Sequence, residues 1–130
     1  MLTNFFLFIF ICAGAELLSE ESQGTHRELQ FENEYVKVWK TVIMPNQPLN
    51  LHRHDVPRVV VGLKGGTLTK IQETGEVSLI VLETGKAHWL EQDPPRELHG
   101  DINETAEPIE VMVIEVKGAE KDTEFDPNGL

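Results

Sequence analysis

His52, His54 and His99 are the residues of this chain best suited to chemistry. On extended backbone, side chains two positions apart share a face, so the run His52-Arg53-His54 can aim two imidazoles at one point. His99, from a distant segment, would add a third nitrogen. Three neutral imidazoles suit zinc, iron, copper or nickel and leave positions open for water or substrate. The alternative is a metal-free pocket, whose histidines then need partners or lowered pKa values. Asp101 follows His99 by two residues and can share its face, so it is a candidate carboxylate ligand. Arg58, four residues after His54, carries a planar fork of donors that matches a carboxylate or phosphate. Its other reading is a structural ion pair with Asp55, Asp101 or Glu97, or an outward surface arginine. His88, beside Trp89, reads as a packing residue, and His26 as a solvated one. Trp39 and Trp89 read as core or interface rather than as a sugar-stacking platform. Glu83, Glu91 and Glu97 are acids, but their spacing picks out no acid–base pair.

These side chains need strands to hold them. Residues 35–43 alternate and are rich in β-branched and aromatic types. Leu49–His54 is extended, with Leu49, Leu51 and Arg53 on one face and Asn50, His52 and His54 on the other. Arg58–Lys64 is the next strand; if Arg58 faces the site, Gly62 does too and leaves room for a ligand. Thr67–Gln72 and Val77–Glu83 form a hairpin across Glu73-Thr74-Gly75-Glu76. Lys86–Glu91, Glu97–Asn103 and Ile109–Lys117 complete a set of eight or nine short strands. No segment after the leader has a helical period, and there are no repeats. Short strands at close spacing predict an all-β single domain, a sandwich or barrel.

The histidines and their flanks resemble the cupin superfamily, in its small, single-domain RmlC-like form. Its first motif reads Gly-x5-His-x-His-x3-Glu-x6-Gly, and Asn46, His52, His54, Arg58 and Gly65 occupy those places here. Its second reads Gly-x5-Pro-x-Gly-x2-His-x3-Asn, matched by Pro94, His99 and Asn103, with Arg96 at the inner glycine. The outer glycine falls on His88 in that register, or on Gly85 if three residues are inserted before His99. The resemblance spans residues 29–117 and implies a jelly-roll β-barrel, a metal held by His52, His54 and His99, and a homodimer. Arg58 stands where the family has its glutamate ligand. A guanidinium has no acceptor and stays charged. Within ~5 Å of a dication its repulsion is roughly 6–7 kcal/mol at an effective dielectric of about 20. Arg58 therefore turns away, holds an anionic ligand near the metal, or marks a site without metal. Three histidines without the glutamate, plus an arginine, are similar to the iron sites of thiol dioxygenases, where an arginine anchors the substrate carboxylate. A tyrosine placed at the site is missing from that analogy, since Tyr35 is the sole tyrosine.

The expected function is thus a cupin holding a divalent transition metal (Fe, Zn, Mn or Ni) and a small anionic ligand through Arg58, Asp101 and Asn103, dioxygenase-like if catalytic. The alternatives are a metal-free binding module and a sugar-type isomerase or epimerase with His52 or His54 as base.

The chain's 130 residues allow one domain. Phe5–Ile11 is an apolar run of secretory-signal length, and Ala13-Gly14-Ala15 is a small-x-small cleavage site. Residues 1–15 read as a signal peptide cleaved after Ala15, although no lysine or arginine precedes the apolar run. A periplasmic or secreted protein is expected, with no stable membrane span after cleavage, the run being short of the ~20 residues a span needs. Cleavage would remove Cys12, the only cysteine, and with it disulfide, thiol and cysteine–zinc chemistry. Residues 16–28 read as a polar linker or arm and 118–130 as an acidic flexible tail. The net charge of −11 excludes nucleic acid, which needs a basic stripe.

Overall fold

A computed structural model describes residues 23–119. The proposed leader, its cleavage point and most of the acidic tail lie outside the described residues. Among the described residues the regular structure is eight strands and no helix: β1 His26–Glu32, β2 Val36–Ile43, β3 Arg58–Lys64, β4 Gly66–Gln72, β5 Val77–Leu82, β6 Ala87–Leu90, β7 His99–Ile102 and β8 Ile109–Val116.

The strands form two antiparallel sheets, one ordered β1-β2-β8-β3-β6 and the other β5-β4-β7. This is the expected all-β jelly roll. The alternating pattern sets which residues turn inward. In β3, Arg58, Val60 and Gly62 are buried while Val59 and Val61 are half-buried. In β8, Ile109, Val111 and Val113 are buried and their neighbours half-buried. These inner faces meet Leu68 of β4 and Leu82 of β5, which with Ile43 make the core.

Two expectations about elements are corrected. Residues 16–28 were expected as linker, yet His26 and Arg27 open β1, with His26 opposite Val42 and Arg27 opposite Thr41. His26 is half-buried and its ring meets the Gly24 carbonyl at 2.6 Å and Glu28 at 3.1 Å, so it is not simply solvated. The Gly62 position holds no ligand space: a Cβ there would stand 2.3 Å from the Glu83 carbonyl oxygen. Glycine is needed because the Glu83–Gly85 turn crosses β3, with the Gly85 N–H donating to the Gly62 carbonyl at 2.7 Å. Residues 49–54 are extended, as expected, and bridge β7 at His52–His99. Backbone bonds tie this segment to β7: Leu49 N–H to Asp101 O at 3.1 Å, and His52 and His99 reciprocally at 2.9 Å. It acts as a loose fourth strand beside β7, which brings the histidines of the two motifs together.

Both family glycine places taken by other residues keep the glycine conformation. Asn46 has φ 56° and Arg96 has φ 64°. Asparagine tolerates the left-handed region because its short side chain bonds locally, whereas arginine has no such relief. For the outer glycine of the second motif the structure chooses Gly85, with φ 77° in a turn, while His88 lies within β6 opposite Val60.

Candidate metal centre

The three histidines converge. His52 and His54 approach with Nε2 to Nε2 at 3.1 Å, and the ring centroids lie 4.8 Å (His52–His54), 4.5 Å (His52–His99) and 5.4 Å (His54–His99) apart. One nitrogen from each ring falls within a set no wider than 4.8 Å, close enough to hold a metal ion. Metal–nitrogen bonds of about 2.1 Å put neighbouring ligand nitrogens roughly 3.0–3.4 Å apart, so the 3.1 Å separation is a ligand–ligand spacing.

The His52 ring is oriented by its own chain segment. His52 Nδ1 lies 2.7 Å from the Asn50 carbonyl, to which it donates, leaving Nε2 free to face the centre. His99 is 1% exposed, and its Nδ1 lies 3.3 Å from Asp93 Oδ2, within ion-pair range but off the line of a hydrogen bond. Asp93 is the hub of the supporting layer. Its Oδ2 accepts the His54 backbone N–H at 2.7 Å, its Oδ1 is 3.5 Å from Lys70 Nζ, and its own N–H donates to the His54 carbonyl at 2.9 Å. Carboxylates behind ligand histidines commonly fix their tautomer and direction. Asp93 is absent from the residues expected at the site, because it opens the Asp93-Pro94-Pro95 break between strands. Its signal was a lone acid just before the second motif.

Asp101 stands where the expectation placed it. Its side chain is buried, with Oδ2 3.5 Å from His52 Nε2 and 3.6 Å from His99 Nε2. Its Oδ1 is buried without a hydrogen-bond partner. Three imidazole nitrogens with a buried carboxylate beside two of them, one of its oxygens unpartnered, are a donor set that suits a dication. Burial pushes the Asp101 carboxyl up, but the close approach of His99 and the other two histidines outweighs it and holds the group below the usual carboxylate range. Burial lowers His52, and burial together with the Arg58 charge lowers His54 to about 2. Both rings are therefore neutral at pH 7, the form that ligates.

Arg58 does not turn outward. It is 6% exposed, lines the same cavity, and its Nη1 donates to the Glu91 carbonyl at 3.2 Å. Burial lowers its pKa, while Asp93, Asp101 and Glu115 favour its charged form. Those three acids offset the repulsion that a guanidinium would otherwise bring to a cation centre. Of the pairs expected for Arg58, Asp55 goes instead to Arg53, at 2.9 Å.

The expectation for Asn103 fails. It is fully buried, and its Nδ2 donates to the Ile43 carbonyl at 2.9 Å and the Glu107 carbonyl at 2.7 Å. Its Oδ1 accepts from the Thr105 N–H at 2.9 Å. With every polar atom used to pin the loop before β8, Asn103 is structural and has nothing to offer a ligand. His88 is a half-buried packing residue, as expected. Trp39 packs against the core with Arg27 4.4 Å and Lys37 4.8 Å from its ring, so its face is covered by cations. Trp89 is 51% exposed and bonds Glu91 at 3.1 Å.

The cavity has a volume of about 280 Å³ and lies between the sheets, reaching from His52, His54 and Asp101 to aliphatic core side chains. Arg27, from the segment expected as a linker, also lines it. The alternation of Leu29 and Phe31 with polar neighbours was the available signal for that strand.

No family model and no curated protein matches the chain. Solved structures do. A cupin domain from Bordetella pertussis Tohama I is similar at TM-score 0.64 and 26% identity, over 72% of this chain and 94% of that one. A protein with a double-stranded β-helix domain from Klebsiella pneumoniae is similar at TM-score 0.54 and 20% identity, over 75% and 82%. An RmlC-like cupin family protein from Methanocaldococcus jannaschii is similar at TM-score 0.56 and 14% identity, over 75% and 84%. The Bordetella structure, at 26% identity, supports the cupin superfamily, and the other two share its fold over about three quarters of this chain.

Proposed function

We propose that this cupin binds one divalent transition metal (Fe, Zn, Mn or Ni) through His52, His54 and His99, and takes a small anionic ligand beside it. The observation that carries the reading is the 3.1 Å approach of two Nε2 atoms with a third histidine beside them and Asp101 Oδ2 within 3.6 Å of two of the rings. Asp101 takes the part of the glutamate that Arg58 displaced, so the carboxylate comes from β7 rather than β3. A bound metal would act as a Lewis acid with open positions and, if iron, as a redox centre of the dioxygenase kind. The chain's own groups bind and orient. Asn50 and Asp93 aim the rings, Arg58 presents a buried positive fork to an anion, and aliphatic walls limit water.

A calorimetric titration of chelator-treated protein with each of the four ions tests this. One site per chain, weakened by Asp101→Ala and lost when His99 is replaced by alanine, is expected. Titrations that show no heat with any ion overturn it. A second reading, an anion-binding module without metal, is favoured by the inward burial of Arg58 and is the reading left standing in that event.

We further propose an exported protein acting as a homodimer. The edge strand β5 supports association, with Val77, Leu79 and Val81 59%, 67% and 59% exposed on one face. A monomer mass in light scattering removes that part.

A further inference from the structure

We propose that the ligand is an aliphatic carboxylate, its head group held by Arg58, its chain along the inner walls, with Arg27 as a second cation at the mouth. This rests on the reading of the site as one for an anion and adds the class of molecule.

Three observations point there. The first is the wall. The cavity is bounded by Ile43, Val60, Leu68, Leu82, Val111 and Val113, all members of the core cluster, and no phenylalanine, tyrosine or tryptophan lines it among the described residues. Protein cores are close-packed, and apolar volume left open in one is poorly hydrated and destabilising unless something fills it. A flexible aliphatic body suits such walls, whereas a sugar has no free aromatic face to stack on, Trp39 being covered by Arg27 and Lys37.

The second is Arg58, a buried cation that lines this largely apolar space. A planar bidentate donor selects a carboxylate over a neutral head.

The third is Arg27. It sits on the inner face of β1, opposite Thr41, and its guanidinium is held between the Trp39 ring at 4.4 Å and Glu115 at 3.7 Å. Both contacts hold it at the rim, and Lys37 lies over the same ring. Of the charged residues lining the cavity, Arg27 and Arg58 are cations and Asp101 an anion, so in a chain of net charge −11 this lining is locally positive and raises the encounter rate of anions.

The test is a calorimetric titration of the full chain, metal-loaded and chelator-treated, with acetate, butanoate, hexanoate and octanoate, and with hexanol and inorganic phosphate as controls. Affinity is expected to rise about threefold to fourfold per methylene until the walls are covered. Hexanol should bind at least about tenfold more weakly than hexanoate. Arg58→Gln should remove the preference of hexanoate over hexanol. Because that buried substitution can impair folding, the rim variant Arg27→Gln is the second arm: it should weaken hexanoate about threefold or more and flatten its salt dependence. A flat chain-length series, phosphate binding as well as hexanoate, or an Arg27→Gln protein indistinguishable in both affinity and salt dependence overturns the proposal. Chain-length dependence in a protein that binds no metal leaves this proposal standing and removes the metal reading; metal binding with a flat series does the reverse.

Discussion

At the scale of single residues, a motif position can keep its backbone and lose its side chain, or keep its side chain and use it otherwise. Asn46 and Arg96 change the side chain but keep the glycine backbone, at φ 56° and 64°. Left-handed backbone is tolerable for asparagine and costs an ordinary residue about 1 kcal/mol or more. Arg96→Gly is therefore expected to raise stability by about 1 kcal/mol in a denaturant melt, with metal affinity unchanged. Asn103 keeps its residue but has no ligand role. Asn103→Ala should lose roughly 2–4 kcal/mol of stability, because the buried Ile43 carbonyl loses its donor and the loop before β8 its anchor. Metal affinity measured on the folded fraction should not change, whereas a ligand role would lower it. The motif spacing made His52, His54, His99 and Asp101 legible, because a period of two fixes faces. It misassigned Asn103, because a motif position says where a residue sits and not whether its polar atoms are already used.

At the scale of elements, the site depends on three pieces that are not regular strands or are short ones: residues 49–54, the turn around Asp93, and β7. Asp93 joins them, holding the His54 N–H at 2.7 Å and lying 3.3 Å from His99 Nδ1. Asp93→Asn keeps the size and one acceptor but removes the charge beside His99. We expect metal affinity to fall about 10–100-fold, with Asp93→Ala worse. Circular dichroism should remain that of a β-protein. An unchanged affinity in Asp93→Asn would show that the hub serves the fold alone. Seven of the eight strands were readable from alternation, most cleanly β2, β3, β4, β5 and β8. β1 was not, because its exposed residues carry a weaker pattern: six of its seven positions face solvent. Nothing local in Arg27 says that it reaches a cavity. That follows only from β1 pairing with β2, a long-range contact.

At the scale of the whole molecule, burying neutral histidines ties stability to pH. His54 is lowered from 6.5 to about 2, and His52 is lowered too. The unfolded chain takes up those protons from about pH 6.5 downward while the folded chain does not. Stability of the metal-free protein is thus fully present above about pH 6.5 and falls as pH drops through the window toward 2. Urea midpoints of chelator-treated protein at about pH 7.5, 6 and 5 should decrease in that order, and His54→Gln should flatten the trend. A bound metal competes with the same protons, so loading should shift the loss to lower pH.

The central claim is that imidazoles from residues 52, 54 and 99 meet at one coordinating centre. An X-ray absorption spectrum of the zinc-loaded full chain tests it most directly. The account predicts about three imidazole nitrogens near 2.0–2.1 Å with at least one oxygen, and loss of the imidazole scattering when all three histidines are replaced by alanine. Zinc surrounded by oxygen alone, or a spectrum unchanged in the triple variant, would contradict it.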